Sequence, residues 1–527
     1  MESIDVLVAG AGPTGLTMAC ELRRFGLRVR VIDPAPRTTE HSKALVVHAR
    51  TREVFEAMGL RAAVEAEGQA LAAVQVYFEK ELLGQLDLEQ LGPAVPRPLF
   101  LDQSTTERLL QDHLLRLGGA VERGRKLLSF RDEGAQVVAT IGGDDGREET
   151  VTARWLVGCD GAHSAVRHGL GLPFEGSAYE DMFDQADLKI TWDRPPGLGC
   201  AFLRPAGLCV FAPLPRDRYR IIVMGGDGHA PEPTLEMFQR LADELVPGAV
   251  LHDPEWILRF RLHHRMVPRM AVGSVFLAGD AAHIHSPAGG QGMNTGIQDA
   301  FNLAWKLAMV ARGAARLELL ASYDAERHAV AKRTLEMTDR LFRGATSRRT
   351  MSLRKLAVAT VLRFRSLQAR LVRRMSQQGV SYRETGPVVD ARSWPRASPR
   401  AGDRAPAAML REGDATVSLH ALVASSPKMT LLLMHGSSRS QALSIAGREL
   451  AERWGRSLVV RDLVLGTGDA DTLGDPSGAM VRGWRVRAPE LVLLRPDGHV
   501  AVRAPLRRID ALQAYAARWF QQDATCD

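Results

Sequence analysis

The sequence predicts an α/β fold: a parallel sheet with crossover helices, opened by an inserted antiparallel sheet and followed by helices and a second, smaller α/β module. Three segments carry that expectation. Gly10-Ala11-Gly12-Pro13-Thr14-Gly15 follows the apolar run Ile4 to Ala9 and opens a helix. Trp155 to Gly158 runs into Asp160-Gly161 and a second helix start. Phe276-Leu277-Ala278-Gly279-Asp280 runs towards Pro287-Ala288-Gly289-Gly290-Gln291-Gly292-Met293-Asn294 and a third. Each reads as a buried strand, a tight turn and a helix, the unit from which parallel sheets are built.

Taken in order, the first strand is Ile4 to Ala9, its helix stops near Gly26, and a second strand, Val29 to Ile32, ends at Asp33. Strand-like and helix-like segments alternate to about residue 175, giving the first part (1–177) of a Rossmann-like domain. Over 178–268 the pattern becomes short strands, Cys200 to Arg204, Leu208 to Phe211 and Tyr219 to Met224, separated by Pro-Ala-Gly and Pro-Arg-Asp turns. That is a hairpin meander, an antiparallel sheet with one face free to cover a ligand. Residues 269–375 return to the first domain and turn helical, and 376–404, rich in Gly, Pro, Ser and Arg, reads as a linker. In 405–527, strand-like Met429 to Met434, helix-like Gln441 to Trp454, strand-like Leu458 to Val460 and the hairpin Leu491 to Val502 follow a thioredoxin-like order. Met434-His435-Gly436-Ser437-Ser438 stands where Cys-x-x-Cys would, which excludes thiol exchange.

Composition narrows the class. A chain of 527 residues needs more than one core, and 45% apolar with 24% charged residues is ordinary for a globular protein. No run of 18 apolar residues appears, the acidic start is unlike a secretion signal, and the five cysteines have no metal-ligand spacing, so a reducing cytoplasm is expected, with no metal and no membrane span. The net charge of +7 is local: residues 340–374 hold eleven Lys or Arg and no acid, leaving −4 on the remainder. Leu353, Leu356, Val361, Leu362, Leu367 and Leu371 recur there at helical spacing, which predicts a helix pair with Arg363, Arg370, Arg373 and Arg374 in solvent rather than a nucleic-acid surface.

The turns carry chemistry. Gly10 permits the tight turn, Gly12 lets backbone N–H groups approach a pyrophosphate, and Gly15 permits close packing of helix on strand. Pro13 and Thr14 begin the helix whose N-terminus favours an anion. Asp33, eighteen residues after Gly15, is placed to accept hydrogen bonds from an adenosine ribose. Asp160 and Arg167 are candidates to orient the second turn beside the phosphates, with a plain helix cap as the competing reading. Gly279 and Asp280 suit a ribityl or ribose hydroxyl, and the backbone at Pro287, Gly290, Gly292, Met293 and Asn294 suits an isoalloxazine edge. Two separated glycine-and-aspartate sites imply one long cofactor gripped at both ends, flavin adenine dinucleotide (FAD), and redox chemistry.

These motifs, in this order, resemble the flavoprotein aromatic hydroxylases (group A flavoprotein monooxygenases with the para-hydroxybenzoate hydroxylase fold) over nearly the whole chain, and Tyr323-Asp324-Ala325-Glu326-Arg327 is similar to their helical closing segment. The C-terminal module, with Gly402-Asp403-Arg404-Ala405-Pro406 and Arg495-Pro496-Asp497-Gly498, together with Ser42-Lys43 and His48-Ala49-Arg50, resembles the phenol hydroxylase subgroup, which includes pentachlorophenol and polyketide hydroxylases. The resemblance implies FAD contacts from Lys43, Arg50 and Gln103, help from Asp160 near the phosphates, and NAD(P)H as a transient reductant. It also implies reduction of FAD, reaction with O2 to a 4a-hydroperoxide, and oxygen transfer to a phenolic or polycyclic aromatic ring. A small aromatic substrate, O2 and a homodimer are the expected partners. Phe202, Arg204, Phe211, Tyr219 and Met224 are substrate-face candidates against ordinary sheet core, and alternation puts about half on the wrong side. His263, His264, His283 and His285 flank the third turn and read first as structural, which leaves the catalytic base unassigned.

Two alternatives remain open at this level. One is Baeyer–Villiger oxygenation of a related polycyclic ketone, separable by product analysis with labelled oxygen. The other is a non-catalytic FAD-binding scaffold, against which the glycines of the third turn argue.

Overall fold

A computed structural model of the chain describes residues 4–38, 44–91, 97–143, 146–205, 207–226, 232–286, 289–346, 351–392, 399–435, 439–469, 471–486 and 488–523. The first sheet begins with β1 (Ile4–Ala9), which runs into α1 (Pro13–Arg24) and β2 (Val29–Asp33). Next come the short strand β3 (Val46–Val47), α2 (Ala49–Ala57), the hairpin β4 (Ala73–Phe78) and β5 (Glu81–Asp87), α3 (Gln103–Arg116) and the long β6 (Glu148–Gly158). β1 lies parallel to both β2 and β6, with Ala9 beside Gly158.

After α4 (Ala165–Gly169) the chain leaves for a second sheet: β7 (Glu175–Thr191), β8 (Leu198–Arg204), β9 (Gly207–Leu214), β10 (Arg218–Gly226), α5 (Leu235–Leu245) and β11 (Val250–Met266). It returns on β12 (Val275–Leu277), parallel to β6, with Leu277 beside Gly158. The ends of β1, β6 and β12 therefore sit side by side, and the turns at Gly10, Asp160 and Gly279 leave one sheet edge together.

The second sheet is larger and less regular than the meander predicts. Its eight strands include the β4–β5 hairpin from the first segment of the chain, and β8 pairs with β4 in parallel. The sheet is thus mixed, and the hairpin interrupts the alternation expected before residue 175. The local pattern hid this, because Ala73-Val74-Gln75-Val76-Tyr77-Phe78 reads equally well as a strand of either sheet. α5 covers one face of the sheet, burying Phe202, Phe211 and Ile221 under Phe238 and Ala242.

Beyond β12, β13 (His283–Ile284) joins the edge of the second sheet, and α6 (Gly292–Ala311) runs through the middle of the molecule, buried on nearly every side. α7 (Ala321–Thr346), α8 (Met351–Arg363) and α9 (Arg365–Met375) follow. The basic pair follows its predicted spacing only in part: Leu362 sits over Gly84 of β5 and Arg363, Arg370, Arg373 and Arg374 are exposed, but Leu356 and Leu371 of the expected apolar face are exposed as well, and it is Val372 that is buried beside Ala212 of β9.

The stretch read as a linker is not slack where it is described. Tyr382 is buried, and Ser381 bridges to Asp403. The C-terminal sheet is built on β14 (Met429–Met434), α10 (Gln441–Trp454), β15 (Leu458–Leu465), β16 (Glu490–Leu494) and β17 (Val500–Pro505). β14 is parallel to β15 and antiparallel to β16, and a final helix, α11 (Ile509–Trp519), closes the module.

Cys20, Cys159, Cys200 and Cys209 are free and buried. Among the described residues there is no helix long and apolar enough to cross a membrane and no His, Cys, Asp and Glu cluster suited to a metal.

Candidate functional site

The first turn fits a pyrophosphate. Gly10 has φ +99°, and a Cβ there would lie 2.3 Å from the Cys159 carbonyl oxygen; one at Gly15 would lie 1.9 Å from the carbonyl oxygen of Gly10. Those two glycines are demanded by packing. Gly12 differs, because a Cβ there meets nothing within 4 Å, so its missing side chain leaves open space above the turn. α1 begins at Pro13 with no side-chain cap, which leaves the first-turn N–H groups without a side-chain acceptor and turned to an anion. Asp33 reaches into this turn: its carboxylate accepts the Ala11 N–H at 2.6 Å and the Ala35 N–H at 2.8 Å, and Arg123 lies 3.4 Å away.

Thr14 ties the first turn to the third. A Cβ at Gly279 or Gly296 would lie 2.6 or 2.3 Å from its hydroxyl oxygen, so α1 and α6 cross here only because both positions are glycine. Gly279 itself has φ +60° and donates its N–H to Asp299 of α6 at 3.1 Å. Asp299 also accepts from His283 Nε2 at 2.8 Å and Arg327 Nε at 2.6 Å. Burial alone would raise the Asp299 carboxyl, but Arg327 and His283 outweigh it and hold it below the usual carboxylate range. Asp280, next along, is exposed at the sheet edge.

The glycine turn before α6 is clamped by a side chain. Asn294 accepts the His48 N–H at 2.8 Å and donates to the carbonyls of Val46 and Gly290, each at 2.7 Å. A Cβ at Gly290 would lie 2.8 Å from the Val46 Cβ, so turn and strand touch backbone to side chain. α6 starts with no side-chain cap, and the N–H groups of Gly292, Met293 and Asn294 form a second anion-favouring helix start. Pro287 and Lys43, also expected here, lie outside the described residues.

Other candidates sit differently from expectation. Asp160 accepts from Ser164 Oγ at 2.5 Å and the Val166 N–H at 3.2 Å, so it braces the start of α4, whose cap is Ser164, accepting the Arg167 N–H at 3.0 Å; burial raises the Asp160 carboxyl pKa. Arg167 joins the second and third turns by donating to the carbonyls of Ala162 and Ala281 at 2.9 and 3.2 Å. Gln103 stands at the first position of α3, just after the capping Asp102, and donates to Glu107 at 2.8 Å. Arg50, implied as an FAD contact, is buried here among protein partners: its guanidinium pairs with Glu53 at 2.8 Å and donates to the Asp497 carbonyl of the C-terminal module.

The substrate-face candidates divide by strand alternation. Phe202, Phe211 and Tyr219 are core beneath α5, which corrects their expected role, and Arg204 shares the parity of Phe202. Met224 lies on the opposite face, clustered with Phe183 and packed by Leu208, Ile222 and Phe260. That face continues through Val210, Ala212 and Leu214, which pack against Val46 and Phe100 beside the clamped turn. Arg220 is buried on the same side, bidentate to Asp187 at 2.7 and 2.8 Å.

A buried ionic network, which sequence reasoning missed, joins this site to the C-terminal module. Arg495 meets Glu326 at 2.6 and 2.8 Å and Asp497 at 2.5 Å; Lys306 and Asn302 reach Glu326 at 2.9 and 2.8 Å; and Arg327 donates to the Tyr382 hydroxyl at 3.1 Å. Burial alone would raise the Glu326 carboxyl, but Arg495 and Lys306 outweigh it and bring it down to about 2. The only available signal was an Arg-Pro-Asp turn, charged yet flanked by apolar strands.

Comparison with known proteins agrees with this geometry. Residues 3–338 match the model of the FAD binding domain family. The chain is 36% identical over 513 residues to 6-methylpretetramide 4-monooxygenase of Streptomyces rimosus, covering 95% of this chain and 90% of that one. It is 33% identical over 521 residues to pentachlorophenol 4-monooxygenase of Sphingobium chlorophenolicum, covering 96% and 95%. Among solved structures, the OxyS anhydrotetracycline hydroxylase from Streptomyces rimosus is similar with a TM-score of 0.77 at 31% identity, over 98% of this chain and 99% of that one. CabE, an aromatic hydroxylase from angucycline biosynthesis, gives 0.74 at 30% identity over the same shares.

Proposed function

The chain belongs to the FAD binding domain family and is an FAD-dependent monooxygenase, and from that premise we propose that it hydroxylates a phenolic or polycyclic aromatic compound of polyketide type, consuming NAD(P)H and O2. The observation that carries the reading is the convergence of three turns at one sheet edge, with the uncapped starts of α1 and α6 both belonging to that site.

In this reading the Gly10–Gly15 turn and the start of α1 hold the pyrophosphate, with Gly12 leaving room for it. Asp33 keeps lone pairs for a ribose, and Asp280 takes a ribityl hydroxyl. Gly290, Gly292 and Met293 present backbone to the ring, and Asn294 fixes that backbone rather than touching the cofactor by its side chain. Bound FAD supplies hydride acceptance and activation of O2. The protein supplies position and dryness: the first-turn N–H groups of α6 stabilise negative charge on the reduced pyrimidine ring, and the apolar face around Met224 keeps water from the reacting centre.

The apolar surroundings of Met224 on that face suit an aromatic ring system, and the relatives are named for action on 6-methylpretetramide and on pentachlorophenol. We also read residues 405–527 as thioredoxin-like, supported by the parallel β14–α10–β15 unit and the antiparallel β16–β17 pair; the body formed by 1–177 and 269–375, less the β4–β5 hairpin, is the FAD domain.

The purified protein should be yellow, and NADPH or NADH should bleach it faster when a phenolic or anthracyclic compound is present. Product mass raised by one oxygen from labelled O2, without ring expansion, is the expected outcome. Bleaching that ignores every aromatic compound, with no O2 consumed, would reject the proposal.

A further inference from the structure

One polar atom is left over at the start of α6. His285 follows β13, and its Nδ1 lies 2.9 Å from the carbonyl oxygen of Ser286. A carbonyl only accepts, so Nδ1 carries the proton and Nε2 of the neutral ring is a bare lone pair. That Nε2 is buried and has no hydrogen-bond partner, and the residue is only 8% exposed. The ring edge rests on the first residue of α6: a Cβ at Gly292 would lie 3.6 Å from Cε1 and 3.9 Å from Nε2. Burial holds the ring neutral, lowering its pKa to about 4; His283 and His264 add to the effect, while the Ser286 carbonyl and Asp299 oppose it. The neighbouring His283 has its Nε2 committed to Asp299, and its Nδ1 is also buried without a partner, but only the His285 ring comes within 4 Å of a Cβ at Gly292, the first residue of α6.

Folded proteins seldom leave such an atom without a partner, so the partner belongs to whatever binds there. The helix start offers N–H donors, and His285 adds one acceptor beside them. We propose that His285 Nε2 accepts a hydrogen bond from the flavin half of bound FAD while the first-turn N–H groups of α6 donate to its acceptors. The inference rests on the FAD reading above and adds a specific side chain to it. Four groups on that half can donate in the oxidised cofactor, the ring N3–H and the three ribityl hydroxyls, and all present the same chemistry to an imidazole lone pair.

The test uses full-length apoprotein reconstituted with FAD, N3-methyl-FAD or the 2′-, 3′- and 4′-deoxyribityl forms of FAD, in the wild type, His285→Phe and His285→Gln, with affinity read by flavin fluorescence, ring environment by the visible spectrum and fold by circular dichroism. His285→Phe should bind FAD about tenfold more weakly, the size of one hydrogen bond, and His285→Gln, which keeps an acceptor, should recover most of that loss. The wild type should lose a similar factor with whichever analogue lacks the donor in use, and His285→Phe should be indifferent to that change. Folded His285→Phe with wild-type affinity and spectrum overturns the proposal, as does an analogue penalty equal in both proteins. Should His285→Phe not fold, the wild type decides: equal affinity for all five flavins overturns the inference, while a selective loss shared by His285→Gln supports it. A wild type that takes up no FAD at all rejects the earlier reading instead.

Discussion

Glycines in one turn can be separated by what a methyl group would meet. At Gly15 it would strike the Gly10 carbonyl, whereas at Gly12 it would enter open space. Gly15→Ala should therefore destabilise the fold by about 1–3 kcal/mol through overpacking, seen as a lower denaturant midpoint with or without flavin. Gly12→Val should leave the apoprotein midpoint in place and abolish most FAD uptake, measured by absorbance after reconstitution. Equal loss of stability in the two variants would contradict the division of roles. The spacing of these glycines was legible because the turn and its helix are local. Arg50 was not, since Glu53 is a local partner three residues on but the other, Asp497, is set by the docking of a module more than 400 residues away.

Among elements, the second sheet shows what alternation can and cannot tell. The strands at Cys200 to Met224 are readable from the sequence, and so is the fact that neighbouring side chains face opposite ways. Which face receives α5 depends on a helix that follows the strands, and that decides whether Phe202 or Met224 meets the ligand side. Phe202→Ala should cost about 3–5 kcal/mol of stability, as a cavity in a closed core does, with the substrate KM unchanged once the protein is folded. Met224→Ala should cost less and alter KM or the coupling of NAD(P)H consumption to product; steady-state kinetics with O2 uptake separates the two. The Asn294 clamp belongs to the same scale. Asn294→Ala leaves the carbonyls of Val46 and Gly290 and the His48 N–H without a partner, for an expected loss of about 2–3 kcal/mol.

At the scale of the whole molecule, α6 and α7 are joined to the C-terminal module by charges rather than by apolar surface alone. Glu326 has a folded-state pKa of about 2 against an ordinary 4.5, so its stabilisation is fully present above the ordinary value and is lost as the pH falls from about 4.5 towards 2. Wild-type stability should fall across that window, and Glu326→Gln should show a flatter profile from a lower plateau, measured by chemical denaturation at each pH. Arg495→Met should be worse than Glu326→Gln, costing about 3–5 kcal/mol, because it leaves Glu326 and Asp497 short of a buried cation. None of this was legible beforehand, since a sequence gives no sign of which of its charges are removed from water together.

The sulfur atoms of this chain point to one last consequence. Cys20, Cys159, Cys200 and Cys209 lie in the interior, and in each case burial is the leading cause that pushes the thiol up, for Cys209 to about 12. An enzyme that brings reductant and dioxygen together sheds hydrogen peroxide whenever turnover misfires, and thiolates are what peroxide attacks first. With these four held protonated and out of reach, idle turnover should leave them unmodified over many cycles, so these thiols are shielded from the enzyme's own exhaust.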